Sequence, residues 1–386
     1  MNKQWKSAHR VIEMLEAQGF EAVIVGGAVR DYLLDRPFND VDVATNALPE
    51  QVKDVFSNTV DVGIQHGTIL VLDGGEPIEV TTYRAESEYI DFRRPEQVFF
   101  VRDLAEDLKR RDFTINAIAL RASGELVDLY GGQRDLQAKV IRAVGDASER
   151  FQEDALRMLR AIRFQAQLGF TIEVETFAAL QANAALIEHI AMERIAQELT
   201  KVFTGNFTAQ GIKAILSSGL SEHLPGTFDG ACWQNVKIDT AEQGWAYFYC
   251  LNAAHDGHIL SAYKCSNKLK AYAKSVEELV QLDVWDEVTY FDYELESLLF
   301  AGRVLNALGK SKVRETDIVK AKEGLVIQSF QELAVTGKDI VEWSSGKKGP
   351  WIKERLNSLK RAVLSGEVTN DRTHIKGWYD AKFNEG

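Results

Sequence analysis

The chain of 386 residues is poor in the features that mark several large classes of protein. Its three cysteines, Cys232, Cys250 and Cys265, stand 18 and 15 residues apart with no CxxC pair. Neither a disulfide framework nor a zinc ribbon is therefore expected, and the thiols read as reduced. No run approaches the roughly 20 apolar residues that cross a bilayer, and Met1 to Phe20 is amphipathic without a signal-type apolar centre. A cytoplasmic protein without membrane association is the expectation. Basic charge is also short: 45 Lys and Arg face 57 Asp and Glu, a net charge of -12, which argues against coating nucleic acid by bulk electrostatics. Proline is scarce, with six in all and only Pro225 and Pro350 beyond Asp146. Internal repeats and low-complexity segments are missing, which excludes solenoids and biased linkers.

What is present is a globular balance, 45% hydrophobic and 26% charged, enough for two to four domains. Charge is segregated: Glu277 to Glu296 holds eight acids and no Lys or Arg, whereas Lys338 to Gly386 holds ten Lys and Arg against seven acids. A basic tail of this kind could face a polyanion that the acidic stretch avoids. In the first 140 residues, short β-type runs at Glu21 to Val25, Asp40 to Ala44, Thr68 to Leu72 and Ile78 to Thr82 alternate with amphipathic segments such as Pro49 to Phe56. That pattern predicts a mixed sheet with flanking helices, an α+β arrangement. Beyond Asp146 apolar residues recur at helical spacing, and the remainder reads as all helical, with soft boundaries near Gly205 and Lys270.

The densest stretch of chemistry runs from Val25 to Thr45, VGGAVRDYLLDRPFNDVDVAT. A β-run ends at Gly26-Gly27, and a helix can start at once through Ala28 to Leu34. Glycine there lets backbone approach a ligand, and the free N–H groups at a helix start suit a phosphate. Arg30, in the first turn, can add a charge-assisted contact. Asp40 and Asp42 follow. Alternate residues of a strand share a face, so both carboxylates would project together while Val41 and Val43 face the core. Carboxylates that close repel unless a cation lies between them, and hard oxygen ligands suit Mg²⁺. Alone, a Gly-Gly pair is commonly a turn and a DxD an exposed strand face; the two in this order point to a phosphate and metal site.

Two further clusters carry charge. Asp107 to Ala117, DLKRRDFTINA, sets Arg110 and Arg111 beside Asp112; it reads as a charged loop entering a buried segment, or as a source of a further triphosphate cation in Arg111. Glu153 to Gly169, EDALRMLRAIRFQAQLG, has a helical core stripe at Leu156, Leu159 and Ile162, with Arg157, Arg160 and Arg163 beside it. Glu153 and Asp154 stand four and three residues before Arg157, spacings that pair on a helix. The plain reading is a solvated face with weak surface ion pairs. The sharper one is chemical: an acceptor such as Asp154 beside a donor such as Arg157 matches the Watson–Crick edges of cytosine and adenine. Uracil and guanine place a carbonyl where the carboxylate sits.

Together, Gly26-Gly27-Ala28-Val29-Arg30-Asp31, Asp40-Val41-Asp42, RRDFTINA from Arg110 to Ala117 and EDALRMLRAIRF from Glu153 to Phe164 resemble the class II tRNA nucleotidyltransferases, the bacterial-type CCA-adding enzymes. The resemblance runs from Val25 to Gly169 as several ordered motifs. It implies a polymerase-β-like nucleotidyltransferase head (1–145), then a helical neck (146–205), body (206–270) and tRNA-gripping tail (271–386). On the matching positions it implies that Asp40 and Asp42 hold catalytic Mg²⁺, that Gly27, Arg30 and Arg111 bind the triphosphate, and that Asp154 and Arg157 read the base. Arg160 and Arg163 would complete the nucleotide pocket, and Glu153 would orient Arg157. The implied reaction is attack of a tRNA 3′-hydroxyl on the α-phosphate of CTP or ATP, with two metals assisting and pyrophosphate leaving. Glu79, in IEVTTYR, is a candidate third carboxylate by pattern. Tyr83 to Pro95, polar and lacking a core stripe, resembles the flexible loop that full CCA-adding members use in switching from C to A. A poly(A) polymerase and a partial, CC- or A-adding, enzyme are the alternatives within the family, and a homodimer is one assembly open to it.

Two readings lie outside the family. His255-Asp256, with His223 upstream and Asp283 downstream, would suit a metal-dependent phosphohydrolase. Trp343, Trp351, Trp378 and Tyr379, interleaved with basic residues, would suit a non-catalytic RNA-binding protein, although aromatics near a C-terminus more often pack a last helix.

Overall fold

The alternating apolar runs of the first third form one sheet. The computed structural model describes residues 3–38, 40–63, 67–72, 75–86, 89–90, 94–95, 98–253, 257–344 and 349–383. Its backbone divides into two compact units, Met1–Gln234 with Ala262–Lys264, and Asn235–Ser261 with Cys265–Gly386.

The first unit opens with α1 (Lys3–Ala17), β1 (Ala22–Val25), α2 (Gly27–Leu33), β2 (Asp42–Thr45), α3 (Pro49–Val55), β3 (Thr59–Gly63), β4 (Thr68–Val71) and β5 (Ile78–Thr82). After two short hairpin ladders come α4 (Leu104–Lys109), β10 (Ala119–Leu120) and β11 (Leu126–Val127), where β6 (Arg84–Glu86), β7 (Tyr89–Ile90), β8 (Arg94–Pro95) and β9 (Val98–Phe100) make up the ladders. The seven-stranded sheet runs β11-β10-β1-β2-β5-β4-β3, antiparallel except for the β2–β5 pair. Third in that order, between β10 and β2, is β1, AVIV, buried at all four positions, as a strand covered on both faces must be. One cover is α1, whose buried Trp5, Ala8, Val11, Ile12 and Leu15 follow helical spacing. The second strand begins at Asp42 rather than Asp40, yet the alternation holds through the preceding residue. Val41 and Val43 are buried, and Asp40 and Asp42 are exposed.

The segment expected as a loop between Tyr83 and Pro95 carries ladders instead: β6 pairs with β9 and β7 with β8. The partner of β6, Val98–Phe100, lies outside the stretch, and β7 and β8 are two residues each, too short for alternation to declare them. Residues 87–88 and 91–93 of that stretch lie outside the described residues.

Next come α5 (Gly132–Ala138), β12 (Val140–Ile141), α6 (Ala147–Glu153), α7 (Leu156–Leu168), β13 (Thr171–Ile172), α8 (Val174–Asn183), α9 (Met192–Phe203) and α10 (Thr208–Ser217). Among the described residues, the part beyond Asp146 is helical apart from β13, which pairs in parallel with β12; two residues are too short for a periodicity to declare them. The helix expected to run unbroken from Glu153 divides at Asp154, whose backbone is extended (φ −140°, ψ 101°). The Asp154 carboxylate accepts from Leu156 N at 3.1 Å, an aspartate competing locally with helix continuation. Near Gly205 the chain packs closely on α7, since a Cβ there would lie 2.4 Å from the Ala166 carbonyl oxygen.

The second unit is helical among the described residues, and its last three helices, Gly337–Trp343, Trp351–Leu364 and Arg372–Phe383, enclose a core that includes Ile340, Leu359, Val363, Ile375 and Tyr379. Tyr379 is fully buried, and Trp343, Trp351 and Trp378 pack against this core. Its own cations cover their rings: Arg355 lies 4.6 Å from the Trp351 ring centre, Lys376 5.3 Å from Trp343 and Lys382 4.5 Å from Trp378. These aromatics therefore close a core and do not form the open stacking platform that the RNA-gripping alternative requires. Among the described residues no helix is long and apolar enough to cross a membrane.

Candidate active site

The carboxylates come first. Register in the sheet pairs Asp42 with Val25 on β1 and with Glu79 on β5. Paired residues of neighbouring strands project to the same face, so Glu79 stands beside Asp42, as its pattern suggested. The Asp42 side chain opens into a cleft, and there crowding by protein, then the Glu79 charge, then that of Asp40, raise its pKa above the ordinary aspartate value; Arg111 pulls the other way. A carboxylate held at such a disadvantage is one that a cation would relieve. Among the described residues no three His, Cys, Asp or Glu side chains converge to enclose a metal by themselves. The pair Asp40 and Asp42 fits a Mg²⁺ ion that takes one or two protein carboxylates and completes its shell with water and substrate phosphates.

Opposite the pair, β1 turns into α2 at Gly26, where φ is +75°, a conformation that favours glycine. A Cβ at Gly26 would sit 3.3 Å from Arg111 Nη1 and 3.8 Å from Asp42 Oδ2. The bare backbone thus leaves room in the cleft floor between cation and carboxylate. Gly27 begins α2, and Arg30 on its next turn is held in place by Asp31 (2.7 Å) and by the Asn116 side-chain oxygen (2.8 Å).

Arg111 is fixed by Asp107, which also takes Arg110. Burial would raise the Asp107 pKa, but the two guanidiniums hold it below the usual value. Asp112 is buried and receives bonds from Arg160 (2.5 Å), Asn116 Nδ2 (3.0 Å) and the Phe113 N–H (2.8 Å). Burial works against the charge there too, and Arg160 with Asn116 outweighs it, keeping the carboxyl far below the usual range. A continuous chain of contacts therefore runs Asp31, Arg30, Asn116, Asp112, Arg160, joining α2 to α7.

On α7 the arginine row is not a solvated face. Arg157 and Arg163 are 8% exposed, which overturns the plain reading of that helix. Arg157 takes Glu153 at 2.5 Å, as the spacing suggested, and donates to the Arg110 carbonyl at 2.9 Å. Arg163 pairs with Glu198 at 3.1 Å on α9; burial, with Arg160 nearby, lowers its pKa to about 10, so it stays charged. Arg30, Arg160 and Arg163 all lie over the ring of Phe164, at 5.0, 5.8 and 4.3 Å from its centre. Asp154 departs from expectation: because it lies in the joint ahead of α7, its ion pair is with Arg194 of α9, at 2.8 Å, and not the helical pairing with Arg157 that its spacing suggested.

All nine sequence-derived site residues, Gly27, Arg30, Asp40, Asp42, Arg111, Asp154, Arg157, Arg160 and Arg163, line one cleft of about 780 Å³, ample for a nucleoside triphosphate. Nine Arg and Lys side chains line it against four Asp. The chain is acidic as a whole, and this cleft is a local basic site within it. Sequence reasoning missed Asn116, Phe164, Arg194 and Glu198. The first two lay inside quoted motifs without a role; the pair on α9 carries no motif signal. Of the phosphohydrolase set, residues 255 and 256 lie outside the described residues, and His223 pairs with Glu188 at 2.6 Å.

Comparison with known proteins follows the same division of the chain. The family model for the poly A polymerase head domain matches residues 22–142, that for an RNA- and SrmB-binding site of polymerase A matches 169–229, and that for tRNA nucleotidyltransferase domain 2 matches 236–379. The chain is 42% identical to the CCA-adding enzymes of Bacillus cereus (strain G9842) and Bacillus anthracis over 391 aligned residues, covering 97% of this chain and 98% of each relative. Its structure is similar to that of the Bacillus stearothermophilus CCA-adding enzyme solved with CTP, with a TM-score of 0.90, 37% identity and coverage of 100% of this chain and 98% of that one.

Proposed function

The chain belongs to the CCA-adding enzyme family, and on that premise we propose that it adds C, C and A to the 3′ end of tRNA from CTP and ATP, without a nucleic-acid template. The observation that carries this reading is the single cleft that gathers an aspartate pair, a set of triphosphate-sized cations and an acceptor–donor pair able to read a base.

In this reading Asp40 and Asp42 hold Mg²⁺, which when bound lowers the pKa of the attacking 3′-hydroxyl and neutralises charge on the departing pyrophosphate. Gly27, Arg30 and Arg111 receive the triphosphate. The backbone at Gly26-Gly27 leaves space beside Arg111, while Arg30 is oriented by Asp31 and Asn116 before substrate arrives. Such preorganisation spares the cost of ordering long side chains on binding. Asp154 accepts from the exocyclic amine of cytosine or adenine and Arg157 donates to the neighbouring ring nitrogen, an edge that uracil and guanine do not offer. Glu153 holds Arg157 in that pose, and Arg160 and Arg163, stacked on Phe164, close the pocket. Glu79 is the acidic neighbour that adds to burial in raising the Asp42 pKa.

The same reading gives residues 1–145 the catalytic role, 146–205 base recognition, and 206–270 and 271–386 the support and grip of tRNA, in a cytoplasmic enzyme. The test is incubation with tRNA lacking its 3′ end, Mg²⁺, and each nucleotide singly and together, with products resolved to one nucleotide. Addition of C, C and A followed by a stop is the expected result. A long A ladder would make the chain a poly(A) polymerase, and a halt after CC a partial enzyme.

A further inference from the structure

The base-reading carboxylate stands where neither neighbouring helix can aim it. Asp154 is the extended residue in the joint between α6 and α7, and its Oδ1 accepts one bond from the adjacent main chain, Leu156 N at 3.1 Å. A second anchor comes from 40 residues away: Arg194 donates from Nη2 to Oδ2 at 2.8 Å and from Nη1 to Oδ1 at 3.4 Å. Both side chains line the cleft and both are largely covered, 30% and 17% exposed. One turn further along α9, Glu198 holds Arg163. The same face of α9 therefore braces the base-recognition residues at two points.

We propose that Arg194 is a positioning residue for nucleotide selection, its guanidinium fork holding the Asp154 carboxylate in the one orientation that accepts an exocyclic amine. The proposal rests on Asp154 being the base reader. Arg suits the task because its planar fork grips both oxygens and only donates, leaving the outward lone pairs for the base. A carboxylate tethered by the Leu156 N–H alone can swing about χ1 and χ2, so the acceptor is present only part of the time and the correct base loses more than the wrong one.

The test is single-nucleotide addition kinetics on full-length enzyme with Mg²⁺ and tRNA lacking its 3′ end, using CTP, UTP, ATP and GTP, for wild type, Asp154→Ala, Arg194→Gln and Arg194→Lys, with a thermal melt of each. Arg194→Gln is expected to cut the CTP:UTP and ATP:GTP ratios of kcat/KM by about tenfold, chiefly through a higher KM for CTP and ATP. Arg194→Lys, which keeps the charge without the fork, is expected to fall between it and wild type. An equal loss with all four nucleotides, or a lower melting temperature with ratios intact, would overturn the proposal in favour of a structural ion pair. Should Arg194→Gln not fold, wild-type ratios in Arg194→Lys would overturn it equally. The two readings part cleanly: unchanged ratios in Asp154→Ala remove the base reader itself, whereas altered ratios there and unchanged ratios in both Arg194 variants remove Arg194 alone.

Discussion

At the scale of single residues, the cleft sets carboxylates against each other and lets ligands resolve the conflict. The Asp42 pKa is raised by its surroundings, Glu79 and Asp40, so its ionised form is disfavoured in the folded chain. The resulting penalty is complete above the folded-state pKa and vanishes below the unfolded value near pH ~3.9. Asp42→Asn is therefore expected to raise the melting temperature of the metal-free protein at pH 7, with no gain below about pH 4, and to lower kcat by roughly 100-fold or more. Added Mg²⁺ should stabilise wild type and leave the variant unchanged, readable in the same melts. Asp154→Ala is expected to shrink discrimination of CTP over UTP by about 10- to 100-fold, the worth of one good base contact, while Mg²⁺-dependent stabilisation persists; competition assays with mixed nucleotides measure it.

At the scale of elements, Asp112 and Phe164 do for the cleft what no helix does alone. Asp112 ties the segment before the single 3₁₀ turn Thr114–Asn116 to α7 through Arg160, and neutralising this buried carboxylate takes the partner from a guanidinium that is itself only partly exposed. Asp112→Asn is expected to cost about 3 kcal/mol of unfolding free energy, measured by urea titration. Because its folded-state pKa is depressed, that contribution is intact at neutral pH and is lost as the pH falls below about 3.9, so wild type and variant should converge in acid. Phe164 is 3% exposed and carries three arginines on its ring. Its replacement by Leu removes that platform and is expected to raise KM for CTP and ATP alike by several-fold, about 1 kcal/mol, with selectivity kept. Nucleotide titrations of initial rate decide it.

At the scale of the whole molecule, charge is distributed by task. An acidic chain concentrates cations in the cleft, and the final helices expose others, among them Lys353 and Arg361. Since the tail aromatics are committed to its core, a tail that grips tRNA, as proposed, would do so through such exposed cations. Lys353→Glu with Arg361→Glu is expected to weaken tRNA binding by about tenfold and to flatten its dependence on salt, because fewer counterions are released. Affinity for free CTP should not change, and filter binding across salt concentrations compares the two. Truncation of the chain before these helices would be a poorer probe, since Ile327, Leu333 and Val335 share their core.

The sequence by itself determined the four longer alternating strands at β1, β2, β4 and β5, the helical remainder and nine residues of the cleft, because alternation, glycine turns and charge spacing are local properties carried by adjacent residues. Gly26-Gly27, Asp40-Val41-Asp42 and the Arg157, Arg160, Arg163 row were all legible in this way. Tertiary structure alone decided which partners they keep. Asp154 turns to Arg194 and Arg163 to Glu198, both on a helix with no motif, and Arg157 and Arg163 of the arginine row are buried rather than solvated. Periodicity states which residues share a face but not what packs against it, so pairings between distant segments appear only once the chain has folded.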